Sequence, residues 1–283
     1  MRLRWFLLWC VFFTVLLLGL WGLFCHQVVQ SREFRVETHE VVLPHWPKEA
    51  PAVRAVVLAD PHVASWEGEK LVRVVETIVA LKPDVIFMLG DIPYGVVHAL
   101  SLPEGEVYAK LAPLAQVAPV FYVMGNHDWC FRHMRQEFRR LGFIPCGENT
   151  HRYRFSAKQP LDIMGFTWSY GPKLDSKLPR NIAVADDVPR VVLAHYPESF
   201  YQHPLPAADL ILCAHTHGGQ LCDREGMPLL SPRTMTREQA RGGWHKAAGG
   251  TPLYISRGLG MSRIPLRLNC PGEITLLLLK GAE

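Results

Sequence analysis

No two of the seven cysteines are spaced as C-x-x-C, which removes the paired thiolates of a closed structural zinc site. Nor is there a long run of one charge sign. The 30 basic and 26 acidic residues give a net charge of +4 without the basic arm of a nucleic-acid binder, so no nucleic-acid partner is expected. Internal repeats and low-complexity tracts are absent as well. What is left is a chain of 283 residues, 49% hydrophobic and 20% charged, ordinary for a globular protein and large enough for a sizeable core. Cys130, Cys146, Cys213, Cys222 and Cys270 read mostly as buried thiols, and any pairing among them stays open.

The most local absence is of charge over residues 5–24. About 20 apolar residues in a helix match the roughly 30 Å hydrocarbon core of a bilayer. The stretch ends Trp21-Gly22-Leu23-Phe24-Cys25, without the small-residue pattern of a signal-peptidase site. Residues 1–30 are therefore expected to form a retained transmembrane anchor, in preference to a cleaved signal or a buried core helix. Arg2 and Arg4 precede the run, whereas Arg32, Glu33, Arg35 and Glu37 after it nearly cancel. That bias places the N-terminus in the cytoplasm and the remainder on the outer face of an inner, single-pass membrane protein. A cytoplasmic-facing domain is the alternative.

Residues 31–52 carry Pro44, Pro47 and Pro51 and read as a connector holding one strand near 35–43. A single domain over 53–283 follows. Residues 53–59 form a β-rich apolar run ending at Asp60, and Leu71, Val74, Val75 and Ile78 fall at helical spacing over 67–81. A second run, 85–89, ends at Gly90-Asp91; a helix is expected over 104–115; a third run, 117–124, ends at Gly125-Asn126-His127-Asp128. This β-α-β-α-β order predicts an α/β fold with parallel strands and polar site residues in the loops after the strands' carboxyl ends. Two further runs end at His195 and at His215-Thr216-His217. Short strands near 152–155, 161–166, 253–256 and 273–279 are expected to complete a second sheet, giving two packed mixed sheets flanked by helices.

Singly, these polar residues mean little. An Asp after a strand is most often a helix cap or turn residue, a lone His is usually packed or on the surface, and an Asn after Gly can be a plain turn. With 13 His in the chain, roughly 0.6 His-x-His pairs arise by chance. Gly-Asn-His-Asp is rarer, at roughly one chance occurrence per 2,000 such chains. Joint occurrence in one order is what reverses the odds.

Asp60-x-His62, Gly90-Asp91, Gly125-Asn126-His127-Asp128, His195 and His215-x-His217 together resemble the motifs of the calcineurin-like metallophosphoesterase superfamily. His215-Thr-His-Gly-Gly-Gln220, Ser256-Arg-Gly-Leu-Gly260 and Asn269-Cys-Pro-Gly-Glu-Ile274 resemble its bacterial membrane-linked phosphodiesterase branch. The resemblance implies two divalent ions. Asp60, His62 and His217 would hold the first, Asn126, His195 and His215 the second, and Asp91 would bridge them. Imidazole and carboxylate donors suit Mn²⁺, Fe²⁺ or Zn²⁺, and two such ions can activate a hydroxide and neutralise the entering and leaving oxygens. His127 resembles the family's general acid, and Asp128 is expected to orient it and keep it cationic. Ala214 stands where the family usually has Gly, a small change if that backbone does not need φ > 0. Pro61 and Pro93 flank ligand positions and should reshape their loops.

The expected activity is hydrolysis of a phosphodiester or pyrophosphate bond in a membrane-associated or lipid-linked substrate. Arg257 and Arg263 could meet a second phosphate or a lipid head group through their planar forks. Two rivals predict no hydrolysis: a membrane-anchored scaffold on the same fold, and a structural zinc protein.

Overall fold

Alternating apolar positions decide how this chain is layered. A computed structural model of the protein describes residues 2–30, 32–47, 49–147, 150–156, 159–166, 187–205 and 208–282. In order these form α1 (Arg2–Gln30), β1 (Phe34–Val42), β2 (Val53–Leu58), α2 (Gly68–Ala80), β3 (Val85–Met88), α3 (Glu104–Leu111), α4 (Leu114–Val117) and β4 (Val120–Tyr122). There follow α5 (Met134–Arg140), β5 (Ile144–Pro145), β6 (Thr150–Ser156), β7 (Gln159–Phe166), β8 (Arg190–Ala194), α6 (Glu198–Gln202) and β9 (Leu210–Cys213). The last elements are α7 (Arg237–Ala240), β10 (Gly243–Lys246), β11 (Pro252–Ile255) and β12 (Gly272–Lys280).

Two six-stranded mixed sheets result, ordered β1-β12-β2-β3-β4-β5 and β10-β11-β9-β8-β7-β6. Val57, Phe87 and Phe121 of the first sheet share an apolar cluster with Ile163, Leu193 and Leu212 of the second. The alternate residues Val56, Ile86 and Tyr122 pack instead on α2, α3 and α5 through Val74, Leu111 and Phe138, and Val192 and Ile211 pack on Phe200 of α6. The two-residue side-chain period of a strand thus feeds one core between the sheets and one outside each.

Three expectations change. The run near 273–279 is β12, and it joins the first sheet, antiparallel to β2 and parallel to β1. Its residues alternate between the two cores, with Ile274 and Leu276 outward and Leu277 and Leu279 inward, so this strand finds buried surface on both faces there. The strand expected near 35–43 within the connector is present as β1, but it belongs to the first sheet, paired with β12 over all nine of its residues. The helix expected over 104–115 is broken into α3 and α4 at Pro113, whose ring and missing N–H interrupt a helix interior but suit the start of a new turn. Ala214 has no positive φ, so the family's Gly is not needed there.

α1 continues without a break to Gln30. Its window Arg4–Gly22 is long and apolar enough to cross a membrane, and none of it is buried against protein.

Candidate metal centre

Five strands from two sheets end around one point. Asp60 and His62 follow β2, Asp91 follows β3, Asn126 and His127 follow β4, His195 follows β8, and His215 and His217 follow β9. The first three of these strands belong to one sheet and the last two to the other.

The turns that deliver these side chains are conformationally costly. Asp60, His62, Asp91, His215 and His217 all have φ between 41° and 70°, a region that non-glycine residues seldom occupy and that costs on the order of 1–3 kcal/mol each. Such strain persists only where the surroundings hold it. Two glycines provide the clearance: a Cβ on Gly90 would lie 2.2 Å from the Gly125 nitrogen, and a Cβ on Gly125 would lie 2.2 Å from Asp91 Oδ1. The β3 and β4 loops therefore touch backbone to backbone, and that contact sets the position of Asp91.

The donor atoms converge. His62 Nε2 lies 3.2 Å from His217 Nε2 and 3.6 Å from Asp91 Oδ2. His195 Nε2 lies 3.2 Å from Asp91 Oδ2 and 3.1 Å from Asn126 Oδ1. Asp60, His62 and His217 form one compact group able to hold an ion, Asp91, His195 and His215 a second, and His62, Asp91 and His127 a third that overlaps both. Asp91 thus stands between the two ligand sets. His62 Nδ1 lies 2.7 Å from the Pro93 carbonyl and His195 Nδ1 lies 2.8 Å from the Leu89 carbonyl. A carbonyl only accepts, so both Nδ1 atoms carry hydrogen, and in the neutral ring Nε2 offers its lone pair to the centre.

Electrostatics divide the donors. Burial pushes His62 down to about 4 and His215 down to about 3, the neutral forms that bind metal. Burial also raises Asp60 to about 7. For Asp91 burial acts upward, but the His195 charge and hydrogen bond outweigh it and hold the carboxyl well below its usual range. His195 shows the reverse balance: burial opposes its charge, Asp91 overrides it, and the ring rises to about 10. Imidazole binds metal only in its neutral form, so a divalent ion beside Asp91 would take the place of the His195 proton, and binding would release protons.

His127 borders a cleft of about 220 Å³ that also reaches Asp91, Asn126, His215 and Arg263. Its Nε2 is 4.0 Å from Asp91 Oδ2. Asp128 does not orient it. Asp128 Oδ2 accepts from the Gly125 and Asp91 backbone N–H groups at 2.7 and 2.9 Å, and Oδ1 accepts from Ile92 N–H at 2.8 Å. The carboxylate is a brace between the β3 and β4 loops, because the tight turn after His127 folds its side chain back under the backbone. The partner of His127 is His98, missed in the sequence, with Nε2 2.8 Å from His127 Nδ1. Burial lowers the His127 pKa, the opposite direction to the one an adjacent carboxylate would give.

Arg257 is absent from the cleft lining. It pairs with the fully buried Glu273 at 2.6 Å and with Glu37 at 3.5 Å, which spends its charge on the protein. Arg263 lines the cleft, and among the described residues it has neither hydrogen bond nor ion pair. The second residue missed is Arg267, 2% exposed. It donates to the carbonyls of Arg257, Gly258, Gly260 and Cys270 and places Nη2 3.4 Å from His217 Nδ1. A single arginine in a non-motif stretch carries no sequence signal for that role.

The family model for calcineurin-like phosphoesterases matches residues 53–219. The phosphodiesterase YaeI of Escherichia coli is 30% identical over 234 residues, covering 81% of this chain and 82% of that protein. A zebrafish transmembrane protein with a metallophosphoesterase domain is 26% identical over 262 residues; these cover 86% of this chain but only 56% of that protein's length. A dimetal phosphatase structure, also from zebrafish, aligns with 74% of this chain and 88% of its own, at 13% identity and a TM-score of 0.44. The match over 53–219 and the likeness to YaeI make this chain a member of the calcineurin-like phosphoesterase family, a metal-dependent phosphoesterase.

Proposed function

We propose that this protein is a two-metal phosphodiesterase, cleaving a phosphodiester or pyrophosphate bond in a membrane-associated or lipid-linked substrate. The observation that carries the reading is the placing of Asp91 between two ligand sets, 3.6 Å from His62 Nε2 and 3.2 Å from His195 Nε2. Asp60, His62 and His217 would hold one ion, Asn126, His195 and His215 the other, with Asp91 shared between the two sets. Mn²⁺, Fe²⁺ and Zn²⁺ are the candidates by donor type. When bound, such ions supply Lewis acidity toward phosphoryl oxygens and acidify water.

The protein's own part is positional. The strained turns and the Asp128 brace keep the donors converged. Asn126 contributes a neutral oxygen, which limits negative charge where a phosphate must approach. His127, held from behind by His98, presents Nε2 to the cleft as the proton donor to the leaving oxygen, and Arg263 meets a phosphate at the rim. α1 supports anchoring in an inner membrane, with Arg2 and Arg4 on the cytoplasmic side and the catalytic domain on the outer face.

The test is metal content and hydrolysis of bis(p-nitrophenyl) phosphate by the full chain in detergent with added Mn²⁺. About two ions per chain are expected, with Asp91→Asn losing metal and His127→Ala losing rate while keeping metal. A wild type with no bound metal and no turnover would leave a membrane-anchored scaffold in its place.

A further inference from the structure

The segment carrying Arg263 touches the anchor helix. Gln27 Nε2 of α1 donates to the Arg267 carbonyl at 2.5 Å. Gln27 is five residues beyond Gly22, where the membrane-compatible window ends, so it stands about 7 Å along the helix from the hydrocarbon edge. The headgroup layer on each side of a bilayer is roughly 5–7 Å thick. The contact thus fixes residue 267 at about headgroup depth.

The loop around it is braced from beneath. Gln220 accepts from Ser262 N–H at 2.8 Å and donates to the Ile264 and Leu266 carbonyls at 2.6 and 2.9 Å. Leu221 bridges to Leu268, and Leu229 N–H donates to the Leu221 carbonyl, which sets Leu229 roughly 10 Å from residue 268 at ordinary strand spacing. Three apolar side chains of this surface face water: Leu230 is 67% exposed, Leu229 48% and Ile264 43%. Leu230, Arg263 and Ile264 all line the cleft. An apolar rim carrying Arg263 beside a membrane helix has the composition of an interfacial contact.

We propose that Leu229, Leu230 and residues 262–268 form a lip seated in the phospholipid headgroup layer, so that the cleft opens on the bilayer surface and receives its substrate there. This rests on the membrane-anchored phosphodiesterase reading and adds the surface through which the substrate arrives. The leucines and Ile264 lie among the upper acyl carbons and glycerol groups. Arg263 faces the phosphate plane, where its fork matches phosphate oxygens. A substrate with its chain in the bilayer then presents its phosphodiester without leaving the membrane.

The experiment uses the full chain in phosphatidylethanolamine–phosphatidylglycerol vesicles with a phosphatidylethanolamine that carries a photoactivatable diazirine on its headgroup. Adducts are mapped by mass spectrometry. Adducts on peptides covering 227–233 and 261–268 are expected beside those near the end of α1. Adducts confined to α1 overturn the lip while leaving the anchor standing. No adduct on α1 removes the anchor, and the lip with it.

Kinetics supply a second arm through two diesters with one leaving group, hexadecyl p-nitrophenyl phosphate in the vesicles and methyl p-nitrophenyl phosphate in solution. Leu229→Asp is expected to slow the vesicle substrate about tenfold, given the cost of withdrawing one leucine from an apolar layer, and to leave the soluble one within about twofold. Val117→Asp, at an exposed apolar site before β4 and so at the opposite end of that strand from the centre, is expected to change neither. Equal losses on both substrates in Leu229→Asp, or none, overturn the proposal. Failure of wild type to turn over either diester strikes the phosphodiesterase reading alone, since the adduct map still decides where the lip sits.

Discussion

His98 Nε2 lies 2.8 Å from His127 Nδ1, and the two rings meet edge to face at 76°. The pair fixes the direction of His127 Nε2, the nitrogen turned to the cleft. Asp128, one residue along the chain, spends both oxygens on backbone N–H groups. His98→Ala should lower kcat about tenfold, a fraction of the 10²–10⁴ that general acids contribute, with metal content unchanged. His98→Gln, which keeps a hydrogen-bonding group, should recover part of it. Equal kcat in wild type and His98→Ala would show that the contact positions nothing.

Asp128→Ala leaves three buried N–H groups, of Gly125, Asp91 and Ile92, without their acceptor. The loss should be on the order of 3 kcal/mol of folding stability, measured by urea denaturation, with metal content falling because Asp91 loses its brace. His127→Ala should leave stability nearly unchanged. A stable Asp128→Ala protein that had lost only rate would return Asp128 to direct chemistry.

Gly125→Ala places a methyl carbon 2.2 Å from Asp91 Oδ1. The expected result is loss of bound metal in a chain that still folds, since the clash falls in a loop and not in either sheet. Elemental analysis of the purified variant checks it, and full metal occupancy would refute it.

Asp162 is buried between Arg152, at 2.7 Å, and the buried Arg190, at 3.1 Å. Burial alone would raise its pKa, but the hydrogen bonds and charges of the two arginines outweigh this and hold the carboxyl below its usual range. A group whose folded pKa is depressed adds stability above its unfolded value, about 3.9, and that stability is lost as pH falls through the folded value. Asp162→Ala should cost about 3–5 kcal/mol at pH 7 because it removes the carboxylate that Arg152 and the buried Arg190 both face. The gap between variant and wild type should narrow below about pH 4. A gap independent of pH would mean that packing, not charge, holds this cluster.

Ions that bind the folded chain must stabilise it, by about 2.7 kcal/mol at a hundredfold excess over Kd. Mn²⁺ should therefore raise the Tm of chelated wild type, and the rise should be lost in Asp91→Asn. A Tm indifferent to Mn²⁺ in wild type would argue against the centre without any reference to turnover.

Much of the fold was legible because its strands are short, apolar and β-branched, each closed by Gly, Pro or a polar turn. The strand ends at Asp60, Asp91 and Asn126 followed from that pattern. The destination of β12 did not: Ile274, Thr275, Leu276 and Leu277 read as a buried strand in either sheet, and only pairing partners distinguish the two. Pro113 was visible, yet how far its break would carry into the helix depended on how α3 and α4 pack.

The sequence by itself determined the donor inventory and the loops that bear it, since imidazole, carboxylate and amide at strand ends are local facts of composition and spacing. It also determined a helix long and apolar enough for a bilayer. Tertiary structure decided which side chains do which work. Asp128 turned into the backbone and His98 into the site, Arg257 was consumed by Glu273 and Glu37 while Arg263 was left facing the cleft, and Arg267 was drawn under the loop beside His217. Contacts between residues far apart in the chain fix those outcomes, because charge and hydrogen-bonding capacity are properties of a residue and the partner that satisfies them is a property of the fold.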